Sequence, residues 1–470
     1  MKKHILALAT ASMAVAFATP AQGADLREAI AYALQTNPEI RQAVFNRQAT
    51  QYERKQAEGF YYPRISVEAS AGVRELRNPT RRSLGIADDT LYPRQIQLTV
   101  DQLLFDSGAR EAEIRHQAAR TDAAAARIEE RSEFIALNIS RAYIDYILQQ
   151  RLVAIAEDNA AFHSALVGDL QQGVDSGSIS IADLQQAQER LQSANARVVE
   201  AQEDLETAEI IFERLSGVEM GAVSMPPDLS GAMPESLGMA VEMAKNNNPL
   251  VEEAVADLAA ARALIRKAKG EMGPRFNVEG RARYGEDIDG FAGVTEDYQA
   301  LGVVRWTVFN GATNIYNVRE QQARADQAHA RLFETQRNAE ESTRSAWTRL
   351  VNQGRLVTEL AEQSRISDDL LLSYREQFGV GRRSLLDVLD AQNTRYNAMA
   401  QLETARLAQL YAQYRVLASV NRLVEAMNVD MARNAYEEDR REYWVNPVPA
   451  TDRAEESLEY PVMGPPASDE

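Results

Sequence analysis

The feature that most constrains this chain is that it is written twice. Asn37-Pro38 recurs as Asn248-Pro249, and Pro63-Arg64-Ile65-Ser66-Val67-Glu68 recurs as Pro274-Arg275-Phe276-Asn277-Val278-Glu279, both at an offset of 211. Farther on, Phe105-Asp106-Ser107-Gly108 matches Phe309-Asn310-Gly311-Ala312, and Gly177 to Asp183 matches Gly381 to Asp387, both at 204. The offset changes once, between Val67 and Phe105, where the first copy is seven residues longer. Collinear copies with one local length change point to a duplicated unit. The copies divide the chain into 24–232 and 233–430, with 1–23 before them and 431–470 after.

Within each copy the hydrophobic period switches. Residues 109–167, 178–216 and 382–446 contain neither glycine nor proline. A helix over the first of these would be about 90 Å long at 1.5 Å per residue, far beyond a usual globular helix, which points to coiled-coil packing. Leu407, Leu410, Tyr414, Leu417, Val420 and Val424 follow steps of three and four, with glutamine, glutamate, arginine and asparagine on the other faces. Such helices bury one stripe and keep a wet face, consistent with a mean hydropathy of −0.39.

Between the helices lie four segments of period two. Ile65, Val67, Ala69, Ala71 and Val73 alternate with polar residues over 64–74; Ile96, Leu98 and Val100 do so over 95–101; and Phe276, Val278, Ala282 and Tyr284 over 275–284. A fourth, 298–308, sets Ala300, Val304, Trp306 and Val308 against Gln299, Arg305 and Thr307. They run from seven to eleven residues, close to the ten or so that a tilted membrane strand needs. Tyr61, Tyr62, Tyr92, Tyr298, Trp306 and Phe309 cluster at the expected strand ends, as interfacial aromatics do. Hairpins over a soluble core are the competing use of alternation, weakened here by arginines on the polar faces and by helices too long to cover a compact sheet. Four strands cannot close a barrel, and an open edge in lipid is prohibitively costly, so strands that enter a membrane require several chains to share one barrel.

The termini set the compartment. Lys2 and Lys3, an apolar run from Ile5 to Phe17, and Ala21-Gln22-Gly23 form a secretory leader, residues 1–23, too short to span a bilayer. Its loss takes two lysines from a chain of net charge −18, leaving −20. An acidic chain lacks the basic stripes of a nucleic-acid binder. The absence of cysteine removes disulfides, thiolate metal sites and a lipid-bearing N-terminal cysteine. Residues 431–470, with four arginines, ten acids and five prolines, have the composition of a disordered tail.

The twofold strand-helix repeat, Leu26-Arg27-Glu28-Ala29-Ile30 with Asn37-Pro38-Glu39-Ile40, and above all Val380-Gly381-Arg382-Arg383-Ser384-Leu385-Leu386-Asp387-Val388-Leu389-Asp390-Ala391-Gln392 resemble the TolC family of outer-membrane export ducts over essentially all of 24–428. The resemblance implies a mainly helical chain with a membrane β part: a homotrimer whose chains give four strands each to a twelve-stranded outer-membrane β-barrel, continued by a periplasmic coiled-coil tunnel. It implies docking to a periplasmic adaptor (membrane fusion) protein and an inner-membrane ABC or proton-driven transporter, for type I protein secretion or multidrug efflux, with no catalysis and no cofactor. It also implies a gate at the periplasmic end. Position by position, Asp387 and Asp390 match an acidic ring, Arg383 a gate arginine, and Asp183 an aspartate that pairs with a gate tyrosine, whose place is taken here by Phe378. Gly177 and Gly381 are the helix turns at that gate, and Ala182 replaces a hydroxyl residue. Threefold symmetry would bring six carboxylates to the axis, where mutual repulsion raises pKa values and attracts cations.

Other readings stand beside these. Ser180-Ile181-Ala182-Asp183 and Ser384-Leu385-Leu386-Asp387 fit the capping box that starts a helix, which accounts for Asp183 and Asp387 without a lumen role; Asp390 lies beyond the first turn. His4, His116, His163 and His329 are scattered and form no metal-ligand spacing. Loop 75–92 carries Arg77, Arg81 and Arg82 and loop 285–297 is acidic, so the two are either solvated or paired over the barrel mouth. A periplasmic coiled-coil adaptor without its own barrel is the alternative function, and a periplasmic hydrolase finds no nucleophile–base pattern.

Overall fold

A computed structural model describes residues 25–220 and 223–432. The expected leader and, but for its first two residues, the expected acidic tail lie outside the described residues. The first copy contains α1 (Leu26–Thr36), α2 (Pro38–Glu58), β1 (Arg64–Ala71), a short α3 (Pro79–Ser83), β2 (Arg94–Phe105), α4 (Ala109–Asp175) and α5 (Ile181–Ser216). The second contains α6 (Leu237–Asn247), α7 (Pro249–Gly270), β3 (Arg275–Glu286), β4 (Val294–Arg305), α8 (Thr313–Gly379), α9 (Leu385–Ser419) and α10 (Leu423–Ala426).

The repeated residues are boundary signals. Asn37 and Asn248 cap α2 and α7, accepting the N–H of Glu39 at 2.9 Å and of Leu250 at 3.0 Å. The proline that follows each has no N–H to satisfy and a φ already suited to a helix. Two successive left-handed residues make each strand-to-helix joint: Ser107 and Gly108 (φ 58° and 87°) before α4, Gly311 and Ala312 (φ 70° and 64°) before α8. Each copy supplies one glycine, at opposite positions of the pair.

α4 and α8 each run 67 residues and pair with α5 and α9 as two hairpins. α4 passes through Gly168 and Gly173, beyond the glycine-free stretch. A mid-helix glycine costs only about 1 kcal/mol, less than packing along a hairpin returns. α9 stops at Ser419, short of the end of the glycine- and proline-free stretch: Asn421 and Asn428 take φ of 59° and 51° and the chain turns through α10. Leu407, Tyr414, Leu417, Val420 and Val424 are nonetheless all buried, because the turn folds Val424 into the same core.

That core is the largest and joins the copies. It contains Ile30 of α1, Ile139 and Tyr143 of α4, Phe212 of α5, and Tyr414 and Leu417 of α9. Tyr143 donates to the Ser224 carbonyl at 2.9 Å and Tyr414 to that of Pro227 at 2.8 Å, fastening the connection between copies.

The strands form one antiparallel sheet in the order β1-β2-β3-β4. Its register makes two apolar rows, Val67–Leu98–Ala282–Tyr298 and Ile65–Val100–Gly280–Ala300, on one face. Two polar rows, Glu68–Gln97–Arg283–Asp297 and Ser66–Thr99–Arg281–Gln299, occupy the other. The apolar rows are uncovered: Ile65 and Val67 are each 64% exposed. The polar face is knitted together, with Asn277 donating to both Asp101 carboxylate oxygens at 3.1 and 3.2 Å and Arg283 flanked by Asp297 at 3.5 Å and Asp289 at 3.6 Å. β4 begins earlier than its alternation suggested, so Trp306 and Val308 lie past its end and Tyr298 sits within it opposite Ala282. No helix among the described residues is long and apolar enough to cross a membrane.

Candidate functional site

The two hairpin turns use one device. Gly177 and Gly381 adopt left-handed backbone, φ 77° and 72°, which lets the chain reverse. Ser180 and Ser384 then start α5 and α9 by accepting the N–H of Asp183 and Asp387, each at 3.2 Å. Each serine hydroxyl donates to the carboxylate of the same aspartate at 2.8 Å. In α9 the box closes reciprocally, Asp387 also accepting the Ser384 N–H at 3.3 Å. Both aspartates therefore cap helices within the chain. Hydrogen bonds from Ser384 hold the Asp387 carboxyl below the usual carboxylate range, and Arg383, 3.9 Å away, acts in the same direction.

Asp390, one turn on, is exposed, and its backbone carbonyl accepts the Thr394 hydroxyl at 2.9 Å. Arg383 turns back along its own hairpin, donating to Gln377 at 2.9 Å and stacking 4.3 Å from the Tyr374 ring centre. Within one chain the structure does not bring Arg383 to Asp183. Phe378 packs with Leu170 and Leu184 of the first hairpin and Leu385 and Leu389 of the second. Where the resemblance implies a tyrosine–aspartate link, this chain has apolar packing. Ala182 is exposed.

Sequence reasoning passed over the polar contacts above the turns. Gln392 of α9 donates to Asn159 of α4 at 3.0 Å, both side chains buried. Arg395 donates to Asp158 of α4 at 2.8 Å and to Asp368 of α8 at 2.6 Å. Charges on long helices read as a solvated face, and no local spacing links these five helix positions. The one available signal was Gln392 itself, a polar residue on the stripe of Leu385, Val388 and Leu389.

The loops behave differently from the arginine-to-acid pairing considered above. Arg81 is 1% exposed and folds its own loop, its guanidinium donating to the carbonyls of Ile86 at 2.6 Å and Asp89 at 2.9 Å. Arg77 pairs with Asp88 of the same loop at 3.3 Å. The loops meet instead through the Tyr92 N–H on Asp287 at 3.3 Å and Arg74 on the Ile288 carbonyl at 3.4 Å. Among the described residues no group of histidine, aspartate and glutamate side chains is placed to hold a metal ion.

A family model described as outer membrane efflux protein matches this chain twice, over residues 29–218 and 240–429. Protein CyaE of Bordetella pertussis is 40% identical over 100 residues, 21% of this chain and 20% of CyaE, so the chain matches about a fifth of that relative's length. Among solved structures, the CmeC outer membrane channel of Campylobacter jejuni superposes with a TM-score of 0.74 at 14% identity, covering 86% of this chain and 90% of CmeC. The open state of the MtrE outer membrane channel of Neisseria gonorrhoeae gives 0.70 at 17% identity, covering 84% and 88%. At these identities the likeness is one of fold.

Proposed function

The chain belongs to the outer membrane efflux protein family, and from that premise we propose that three copies build one exit duct, with a shared β-barrel in the outer membrane and a periplasmic helical tunnel. The family is one of channels rather than catalysts, which sets aside the hydrolase and the adaptor without a barrel. The observation that carries the reading is the sheet. Its apolar face is uncovered and its two outer strands, β1 and β4, each leave one edge unpaired among the described residues. Lipid accepts the first and forbids the second, so β4 of one chain must pair with β1 of another.

The helices point to the same assembly. α4 and α8 are equal in length and equivalent in the repeat, yet α4 buries twenty-five residues and α8 eight. α4 is the inside of one chain; α8 is a flank fitted for a neighbouring copy. The tips then converge at the periplasmic end, with Asp390 supplying negative charge to the lumen, Asp387 the helix cap beside it, and Arg383, Asp183 and Phe378 setting how the tips pack. The partners that this duct fits are a periplasmic adaptor and an inner-membrane ABC or proton-driven transporter, and the cargo is a secreted protein or a small toxic compound according to that pump.

The test exploits the absence of cysteine. Cysteine pairs, one on β1 and one on β4 of the same chain, should yield disulfide-linked trimers in the outer-membrane fraction, and recovery as a soluble periplasmic monomer would defeat the reading. In planar bilayers, changing Asp390 to Ala should lower cation selectivity more than changing Asp387.

A further inference from the structure

We propose that Arg395 and Gln392 of α9, with Asp158 and Asn159 of α4, are the pivot about which the two hairpin tips separate. Arg395 is on this view a positioning residue for opening, and cargo does not touch it. The inference rests on reading the tips as the gate of the duct.

The polar contacts between hairpins are unevenly distributed. Arg151 of α4 pairs with Glu403 of α9. Nearer the tip, Arg197 of α5 donates to Asn393 at 3.3 Å, Gln392 to Asn159 at 3.0 Å, and Arg395 to Asp158 at 2.8 Å. Below that level no hydrogen bond or ion pair joins the hairpins among the described residues. Asp183, Asp387 and Arg383 all bond within their own hairpins. What remains between hairpins is the apolar cluster around Leu170, Leu389 and Phe378 and the Arg375 guanidinium 5.4 Å from the Phe162 ring centre.

These two kinds of contact resist motion differently. Apolar packing has no preferred direction and lets helices slide. The Gln392–Asn159 bond is directional and buried, so breaking it leaves polar groups unsatisfied. Arg395 adds a rigid fork that holds carboxylates on two different helices at once. The tip is therefore held by contacts that let it slide, and the bracket by bonds that do not. Arg395 lies ten residues into α9, about 15 Å from its start at 1.5 Å per residue, so a rotation of about 10° there shifts the tip by about 3 Å.

The two arms of Arg395 are not equivalent. The bond to Asp158 crosses between hairpins, while the bond to Asp368 stays inside the second one. A pivot depends on the first. The full-length trimer in planar bilayers separates them. Asp158→Asn and Arg395→Gln should each raise the conductance of the closed duct several-fold, the double variant no further, and Asp368→Asn should remain at the wild-type level. Arg395→Lys, which can reach one carboxylate, should fall between, and it serves if Asp158→Asn does not assemble. Unaltered conductance in Asp158→Asn trimers, or in Arg395→Lys trimers where those must serve, overturns the pivot, as does an equal rise in Asp368→Asn. La³⁺ added on the tip side keeps the two readings apart. A wild-type current that La³⁺ leaves unblocked strikes the gate reading itself; a blocked current that Asp158→Asn does not change strikes the pivot alone.

Discussion

Glu133, in the middle of α4, accepts the backbone N–H of Val424 at 3.1 Å through a carboxylate that is 4% exposed. Its second oxygen takes the N–H of Leu423 at 3.2 Å, so a single buried side chain starts α10 and fastens the turn after α9 to the core. Burial pushes the Glu133 carboxyl up to about 8; the two N–H groups oppose this, and Glu129 and Glu425 reinforce it. A folded-state value above that of the unfolded chain means that the folded form holds the proton more tightly. The resulting stability is fully present below about pH 4.5 and is lost as pH rises through about 8, at up to about 1.4 kcal/mol per pH unit. Thermal unfolding of the purified trimer should therefore show stability falling from pH 5 to 8. Glu133→Gln should flatten that slope, since glutamine does not titrate, and a variant with the wild-type slope would assign the dependence elsewhere.

The strand-to-helix joints predict a stabilising substitution. Ala312 holds a φ of 64° that the equivalent residue of the first copy, Gly108, adopts at 87°. A side chain in left-handed backbone costs about 1–2 kcal/mol, partly offset by the greater freedom glycine loses on folding. Ala312→Gly should raise stability by about 0.5–1 kcal/mol and Gly108→Ala should lower it by about 1–2 kcal/mol. Both are read as shifts in the unfolding temperature of the trimer, and an identical effect of the two would contradict the origin in backbone strain.

What could be read from the sequence and what could not divide along one line. Asn37-Pro38 and Asn248-Pro249 act on the residues next to them, so the sequence shows the helix starts directly. Alternation in β1 and β2 likewise assigns Val67 and Leu98 to one face whatever surrounds the sheet. The end of α9 was hidden because Asn421, which tolerates left-handed backbone better than most side chains, stands in a stretch with neither glycine nor proline. The bracket of Arg395 was hidden more deeply. Asp158 and Asp368 reach it only through the approach of three helices, which no spacing along the chain records. At the tips the sequence offered capping and lumen roles for the same aspartate, and the geometry gives Asp387 the cap while Asp390 stays open to solvent.

The capping serines and Phe378 should separate stability from gating. The Ser384 hydroxyl accepts the Asp387 N–H and donates to the Asp387 carboxylate at the start of α9, so Ser384→Ala, which removes both of these bonds and leaves the bond from the Ser384 N–H, should cost about 1 kcal/mol, the usual worth of an N-cap. Phe378→Ala removes the ring packed with Leu170 and Leu389. The half-buried position puts its cost at about 1–3 kcal/mol, below that of a full core aromatic. Because that packing lies between hairpins, Phe378→Ala should also raise bilayer conductance, whereas Ser384→Ala should change the unfolding temperature with little change in current. Equal currents in the two variants would remove Phe378 from the set of residues holding the tips together.

The two faces of the sheet make the sharpest contrast, because neighbouring residues of β1 belong to opposite environments. Val67 stands in the apolar row with Leu98, Ala282 and Tyr298, and Ser66 in the polar row with Thr99, Arg281 and Gln299. If the apolar face meets lipid, Val67→Arg places a charge against hydrocarbon at a cost of about 2–4 kcal/mol near the bilayer midplane and less toward the interface. Ser66→Arg adds a charge to a wet face that already carries Arg281 and Arg283, and should cost well under 1 kcal/mol, with repulsion screened by water and salt. The measurement is the yield of trimer resistant to detergent denaturation in the outer-membrane fraction, which should drop for Val67→Arg and stay near wild type for Ser66→Arg. The reverse order would mean that the sheet is turned the other way round, with Glu68, Arg283 and Asp297 facing outward, an arrangement that a bilayer would not accept.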